Sequence, residues 1–454
     1  MITRQKLRRF LQRAVDVRDI EIRALLWSFA YFFCILCSYY ILRPLRDEMG
    51  IAGGIKALSW LFTGTFLSML VAVPLFGALV ARFPRRRFIP YVYGFFIANL
   101  LLFWLLLTLG TYKVHVARAF FIWISVFNLF IVSIFWSFMA DLFRNEQSRR
   151  LFGFIAAGGT AGTVVGPSIT VMLAVPFGPK NLLLISAALL GVSIFCVRRL
   201  VRAADDFKRS EAMARSSPEA WGAPKPADET AVIGGGILGG ITELVKSPYL
   251  LGIGLFFLLF TSTSTVLYFE QAHIISATIG DPGQRTRIFA FMDLSVSTLT
   301  ILTQLFITGR FIKYFGVSTA VSFLAVVTMA GFAFLAWAPT VIMLVGFQII
   351  RRAANFAVTG PSRETLFTVV SREQKYKAKN FIDTVIYRGG DTVSGWAFDG
   401  LHGPLGLGLA SIAAICVPIS ALWVGLSWML GQHQDKLAQQ AATPAPAPTT
   451  ALAE

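Results

Sequence analysis

Apolar residues in this chain fall into long, nearly unbroken runs separated by short polar segments, most of them basic. A helix needs about 20 consecutive apolar residues to cross a hydrocarbon core about 30 Å thick. Twelve runs reach that length: residues 24–48, 57–81, 90–110, 118–140, 151–175 and 181–198, then 249–270, 287–309, 317–337, 340–362, 380–400 and 405–430. The pattern predicts an all-α membrane protein of twelve transmembrane helices. The first, tenth and eleventh runs contain charged residues, which blurs their ends.

The polar stretches divide the chain. Residues 1–23 read as a basic cytoplasmic segment and 24–198 as an N-terminal six-helix bundle. Residues 199–248, rich in Ala, Pro, Ser and charge, read as a cytoplasmic linker. Residues 249–430 form a C-terminal six-helix bundle, and 431–454 a disordered cytoplasmic tail of Gln, Ala, Pro and Thr. Within the linker, Ile237 to Val245 is expected to form a short surface helix. The preceding Gly234-Gly235-Gly236 lacks the strand and the Lys-Ser/Thr that a phosphate loop requires.

Composition reinforces the membrane reading. The chain is 56% hydrophobic and only 14% charged, whereas soluble domains carry about 25% charged residues. A water-soluble fold has too little interior to hide that much apolar side chain, but a bilayer accepts it. A net charge of +17 in a soluble protein would point to nucleic acid. Here the charge sits in blocks between apolar runs, which is the pattern of cytoplasmic loops facing anionic lipid. Arg4, Lys6, Arg8, Arg9, Arg13, Arg18 and Arg23 precede the first run; Arg82, Arg85, Arg86 and Arg87 follow the second. Arg144, Arg149 and Arg150 follow the fourth, and Arg372, Lys375, Lys377 and Lys379 follow the tenth. The alternate loops are poorer in Lys and Arg, so both termini are expected in the cytoplasm, in a bacterial inner membrane. Ala24 to Leu42 ends without a small-x-small cleavage site and reads as an uncleaved first helix.

Enzymatic, metal and redox chemistry find little footing. Cys34, Cys37, Cys196 and Cys416 all lie inside apolar runs and read as small buried residues. His115, His273, His402 and His433 lack metal-ligand spacing. No cofactor and no metal are expected, and no nucleophile-base set appears.

Two loops and one helix carry recognisable patterns. Gly77-Ala78-Leu79-Val80-Ala81-Arg82-Phe83-Pro84-Arg85-Arg86 resembles the G-x-x-x-D-R-x-G-R-R/K signature of the major facilitator superfamily, with Ala81 in place of Asp and Pro84 in place of Gly. Gly309 to Gly316 keeps the glycine spacing at the matching place in the second half, an internal repeat of the kind this fold carries. The plain alternative is an ordinary positive-inside loop. In the fifth run, Gly153-x8-Gly162-x3-Gly166-Pro167 resembles a glycine-proline signature of exchangers in that superfamily. Gly158, Gly162 and Gly166 also recur every four residues, nearly one turn, which lets another helix approach closely. Helix packing and a conformational role for Gly77, Arg82, Gly153, Gly162, Gly166 and Pro167 both remain open on sequence.

Charge inside the membrane is the strongest functional signal, because it is costly in lipid unless it faces a cavity or a partner. Arg351 and Arg352 lie roughly 17 Å into the tenth run at 1.5 Å per residue. The eleventh run holds Asp383, Arg388 and Asp391, with Arg388 and Asp391 three apart and hence on one face. Asp293 lies in the eighth run, and Glu270 closes the seventh. The first run ends Arg43-Pro44-Leu45-Arg46-Asp47-Glu48, where Arg43 and Asp47 share a face if the helix continues. Arg351 pairing with Asp383 or Asp391 as inter-helix glue is one reading. Pairing within the tenth run cannot absorb its cations, because it holds two Arg and no acid, and a guanidinium left without a carboxylate suits phosphate or carboxylate.

Two of these segments resemble the ATP/ADP translocases of plastids and obligate intracellular bacteria. Ile41-Leu42-Arg43-Pro44-Leu45-Arg46-Asp47 is similar to that family's I-L-R-D-x-K-D. Pro361-Ser362-Arg363-Glu364, then Lys377-Ala378-Lys379-Asn380-Phe381-Ile382-Asp383 and Arg388-Gly389-Gly390, are similar to its P-T-K-E, K-x-K-x-x-I-D and R-x-G. The resemblance covers about 50 residues. It implies that Arg46 and Arg363, at positions of phosphate-engaging lysines, keep their charge, and that Glu270 corresponds to a glutamate of helix 7. Pro44 replaces an Asp, and Asp391 stands where that family has Lys, which argues against a highly anionic nucleotide.

The expectation from sequence is therefore a major-facilitator-type carrier of two six-helix bundles. It would move a small anionic solute, such as a nucleotide or other phosphorylated metabolite, by alternating access, as a monomer in the lipid bilayer. Arg43, Arg46, Arg351, Arg352, Arg363 and Arg388 are the substrate candidates. Asp47, Glu270, Asp293, Glu364, Asp383 and Asp391 are candidates for gating or for coupling to protons or a counter-substrate. The rivals are a proton-coupled exporter of a neutral or cationic compound and a non-transporting receptor or scaffold that holds a partner through its linker.

Overall fold

The structure, a computed structural model, describes residues 17–18, 21–82, 85–110, 113–143, 145–215, 244, 247–370, 374, 378–379 and 381–442. The proposed surface helix at 237–245 apart from Leu244, most of the linker, most of the basic N-terminal segment and the last twelve positions, 443–454, lie outside the described residues. So do Arg372, Lys375 and Lys377.

The apolar runs form helices. In the first half they are α1 (Ile22–Ala52), α2 (Leu58–Arg82), α3 (Arg85–Leu109), α4 (Lys113–Leu142), α5 (Asn145–Leu173) and α6 (Leu182–Arg215). In the second half α7 (Pro248–Thr278), α8 (Pro282–Thr303), α9 (Gly309–Trp337), α10 (Val341–Thr365), α11 (Tyr387–His402) and α12 (Leu409–Ala442) follow. Ten helical stretches are long and apolar enough to cross a membrane. One of them, Pro282–Trp337, has 56 residues, enough for two spans, and its helical path is broken at Gly316 (φ 77°). That left-handed conformation favours glycine, which has no Cβ to clash, so the second glycine of the repeated loop motif has a definite task. The polar α11 completes twelve transmembrane helices. It is shorter and more polar than the other spans, with Arg388, Asp391 and Asp399 in only 16 residues.

Several boundaries move outward from those read in the sequence. The first helix runs to Ala52 with Pro44 inside it, so the charged Arg43–Glu48 segment is helical. The sixth extends to Arg215, well into the stretch read as linker. The last continues to Ala442, so the tail is helical well past position 431. Its Gln, Lys, Leu and Ala are good helix formers, and it is anchored: Gly431 abuts Ser318, Gln434 is buried, and the Ser318 hydroxyl donates to Asp435 at 3.3 Å.

The helices sort into two compact units, one of residues 1–231 with 272–297, the other of 232–271 with 298–454. The end of α7 and most of α8 thus pack with the first unit, a division that composition did not show.

In the first unit, α1 lies against α4, α5 and α6. The buried face of α4 repeats every three to four residues through Phe120, Ile124, Phe127, Ile131, Phe135 and Phe138, the stripe a helix presents to a core. Phe32 of α1 stacks on Phe135 at 4.1 Å. In the second unit, α9 packs along α12, and Phe256, Phe260, Leu324 and Trp423 share a core. Large apolar side chains such as Leu67, Val71, Leu75 and Met172 stand exposed, as lipid-facing surfaces do.

The glycines of α5 resolve into two kinds. A Cβ on Gly158, Gly162 or Gly166 would fall 2.5–2.7 Å from a backbone oxygen of α1, at Phe29, Phe33 and Cys37 in turn. These three form the groove in which α1 lies, and Pro167 is buried beside them. Gly153 is exposed with nothing within 4 Å of that point, and Gly77 is likewise open. Arg82 closes α2 and is exposed.

Candidate functional site

The charged residues singled out in the sequence separate into two groups, one in each unit. In the first unit, Arg43 pairs with Asp293 at 3.5 Å rather than turning to Asp47, and its guanidinium lies 5.6 Å from the Tyr40 ring. Arg46 and Asp47 meet at 3.5 Å, and Arg46 stands over the Phe121 ring at 4.0 Å. The strongest contact here involves residues outside the sequence-based set. Arg285 of α8 grips Glu48 bidentately at 2.7 and 2.8 Å, and its third nitrogen donates to the Ile279 carbonyl. Both side chains are largely buried. Removing one partner of such a pair leaves a buried charge uncompensated, at about 3–5 kcal/mol. Glu48→Leu is therefore expected to lower the thermal unfolding temperature of the detergent-solubilised protein sharply, and adding Arg285→Met to recover most of the loss. Equal melting of the single and double variants would show that the pair is not coupled. Position had hidden this contact in the sequence, since both residues sit at span ends, where charge is ordinary.

A second polar knot ties the start of α1 to the start of α5. Glu21 is buried and accepts from Gln147 at 2.9 Å and Arg150 at 3.2 Å, while the Arg18 backbone N–H donates to its other oxygen at 2.9 Å.

The second unit holds the larger group. Arg388 and Asp391 pair at 3.8 Å, and Lys379 pairs with Glu364 at 2.5 Å. Asp383 is exposed, in the field of Lys379 and Arg363. Arg351 pairs with neither Asp383 nor Asp391, contrary to the inter-helix glue reading. It is buried and donates instead to the hydroxyls of Thr328 at 3.1 Å, Thr263 at 3.3 Å and Ser264 at 2.8 Å, and to the Phe260 carbonyl at 3.5 Å. Arg352 beside it is half-buried. Arg363 lies over Phe257 at 4.6 Å and Phe260 at 5.7 Å, and its Nε has no partner among the described residues. Among those residues neither Arg351 nor Arg363 has a carboxylate at ion-pair distance.

These two guanidiniums stand on either part of one interrupted helix. A π turn, Asn355–Thr359, separates Val341–Ala354 from Gly360–Thr365. In a regular helix, twelve residues rotate a side chain about 120° from its starting face. A π turn absorbs one extra residue, leaving about 20° between them. Both cations accordingly meet the same ring, Phe260, at 5.6 and 5.7 Å. A second π turn, Ile382–Ile386, leads into Tyr387, which sits amid Arg351, Arg363, Arg388 and Asp391.

Glu270 is fully buried in α7, and neither carboxyl oxygen has a hydrogen-bond partner among the described residues. Cys416 of α12 lies in the field of both Glu270 and Arg351. All four cysteines are buried and free. Among the described residues no cluster of His, Cys, Asp and Glu has metal-binding proximity.

What the sequence reading missed here is the run Thr261-Ser262-Thr263-Ser264-Thr265 in α7. Thr261 and Thr265 donate to Asp391, the latter at 2.8 Å, and Ser394 donates to Ser262 at 2.8 Å. Five hydroxyls in succession within an apolar span were a visible signal, because polar residues in membrane helices make inter-helix hydrogen bonds.

Comparison with known proteins agrees with this architecture. The Major Facilitator Superfamily pattern matches residues 24–372. No curated protein sequence matches the chain. Among solved structures, the nucleoside transporter NupG is similar with a TM-score of 0.58 and 13% identity, over 93% of this chain and 100% of that one. A POT family transporter in complex with 5-aminolevulinic acid gives 0.57 and 9%, over 91% and 96%. A bacterial homologue of the human lysosomal transporter Spinster gives 0.52 and 13%, over 95% and 100%. At these identities the structural likeness speaks for the fold alone. With twelve transmembrane helices and that sequence pattern over most of its length, the chain belongs to the Major Facilitator Superfamily.

Proposed function

We propose that this protein is a secondary active transporter that moves a small anionic solute by alternating access, performing no chemistry on it. A nucleotide or another phosphorylated metabolite suits the site. The observation that supports the anion is the pair Arg351 and Arg363, two inward guanidiniums at one ring with no carboxylate at ion-pair distance among the described residues. A buried cation without a counter-ion is costly, and an anionic solute supplies one, with phosphate or carboxylate accepting the planar N–H fork. Arg46, Arg43 and Arg388 are further contacts in this reading, with Arg352 beside Arg351. Asp47, Asp293, Glu364, Asp383 and Asp391 serve as gating partners of these cations. The basic loops support a reading in which both termini face the cytoplasm from a bacterial inner membrane.

Proteoliposome uptake of radiolabelled AMP, inorganic phosphate and succinate tests this reading. Wild-type protein is expected to take up at least one of them, and Arg363→Ala to lose at least about tenfold in uptake, a loss of about 1.4 kcal/mol of solute binding, while eluting as a folded monomer. Uptake by the variant at the wild-type rate would remove Arg363 from the site.

One observation favours a second reading, proton coupling. Glu270 is buried with both carboxyl oxygens unpartnered among the described residues, and an isolated intramembrane carboxyl marks proton relays. Collapsing the proton gradient separates the two: solute exchange persists, whereas proton-driven export stops.

A further inference from the structure

The hydroxyl run of α7 is sorted by polarity. A carboxylate only accepts and a guanidinium only donates, so each hydroxyl's partner fixes where its single proton goes. Thr265 directs its proton to one oxygen of Asp391, and Thr261, one turn away, has that same oxygen and the Tyr387 carbonyl at 3.1 Å as its acceptors. Thr263 and Ser264 direct theirs backwards, to the Leu259 carbonyl at 2.9 Å and the Phe260 carbonyl at 2.6 Å. Their lone pairs are thereby left for Arg351, which donates to both. Thr328 of α9 repeats the arrangement: its proton goes to the Leu324 carbonyl at 2.7 Å and its lone pair accepts from Arg351 Nε. Nε and Nη2 of Arg351 are thus held by neutral acceptors on two helices. Nη1 makes no hydrogen bond among the described residues.

We propose that Thr263, Ser264 and Thr328 are positioning residues that set the affinity for the anionic solute. They satisfy one edge of the Arg351 guanidinium with uncharged oxygens and turn Nη1 out to meet the solute. A carboxylate in their place would hold Arg351 as firmly but cancel the charge the solute needs. Hydroxyls that have already spent their protons orient the cation and leave its charge intact. The proposal rests on the anion-transport reading above.

The test is the kinetics of AMP, inorganic phosphate and succinate uptake in proteoliposomes, comparing T263V/S264A with the hydroxyl-retaining swap T263S/S264T. The double deletion is expected to raise KM for whichever of these anions the wild type carries by about tenfold, the equivalent of one good charged hydrogen bond, with maximal rate largely kept. The swap should stay within about twofold of wild type. If the double deletion does not fold, S264A alone, which removes the shortest of the contacts at 2.8 Å, should raise KM by about threefold. Unchanged KM in the deletion variants overturns the proposal, as does a swap that loses as much as the deletion, since packing and not hydrogen bonding would then be at work. Wild-type protein that carries none of the three anions overturns the anion reading itself, and this proposal with it. Wild-type uptake that Arg363→Ala abolishes and the hydroxyl variants leave untouched overturns the positioning role alone.

Discussion

Arg351→Ala is expected to abolish anion uptake while leaving the protein as stable as wild type, or more so. Arg351 is a buried guanidinium held by three hydroxyls and a carbonyl, with no carboxylate at ion-pair distance among the described residues. Desolvating such a cation costs several kcal/mol, and neutral acceptors recover only part of it. Its removal strands no counter-charge. The hydroxyls it leaves have their protons placed on helix carbonyls already, so only lone pairs go unmet. A stabilising contact would behave in the opposite way, as Glu48 and Arg285 should. The measurement is a thermal unfolding curve beside an uptake assay on the same preparation. Uptake within twofold of wild type, or a fall in unfolding temperature of more than a few degrees, would assign Arg351 to structure instead. The combination of lost function with retained stability is what residues kept for a ligand show.

Gly162→Leu is expected to yield no monodisperse folded protein, and Gly162→Ala a folded but clearly weakened one. A Cβ at this position would lie 2.7 Å from the Phe33 oxygen and 2.8 Å from the Cys37 nitrogen. Both are backbone atoms of α1, so no side-chain rotation relieves the overlap and the two helices must part. Overpacking by even a methyl group costs about 1–3 kcal/mol, and leucine forces the separation of an interface that runs the length of α5. Gly153→Ala is the control. It has open space around it and trades a poor helix former for the best one, worth up to about 1 kcal/mol in an exposed helix. Equal melting of the Gly162→Ala and Gly153→Ala proteins would contradict the close-packing account. The same comparison decides what the glycine pattern of α5 means. Three of its members build the α1 groove, whereas Gly153, included on motif grounds, does not.

Much of the fold was legible because its cause is local. Span count follows from run length against bilayer thickness, and the break at Gly316 from a residue type that readily adopts that backbone. The pairing of Arg388 with Asp391 followed from three-residue spacing. Other contacts were not legible, for equally physical reasons. Arg43 had an intrahelical candidate in Asp47, yet the observed partner is Asp293, far along the chain. The helical extensions to Arg215 and Ala442 defeated a reading based on apolarity, which locates the membrane boundary but not the end of the helix. Glu48 and Arg285 had charge and position typical of span ends, and only their meeting makes them notable.

By itself the sequence determined a polytopic all-α protein with twelve spans, basic loops on one side and two arginines with no acid in its tenth span. Those properties depend on residue type and on spacing within one element. The tertiary structure decided which arginines keep their charge open. Arg351 and Arg363 reach the same ring because a π turn takes up one residue between them, a change of helical phase of about 100° that apolar periodicity does not encode. Arg351 stays free of Asp391 because the hydroxyls of α7 engage each separately. That selection is a matter of which helix faces meet, and it arises only when distant parts of the chain are packed together.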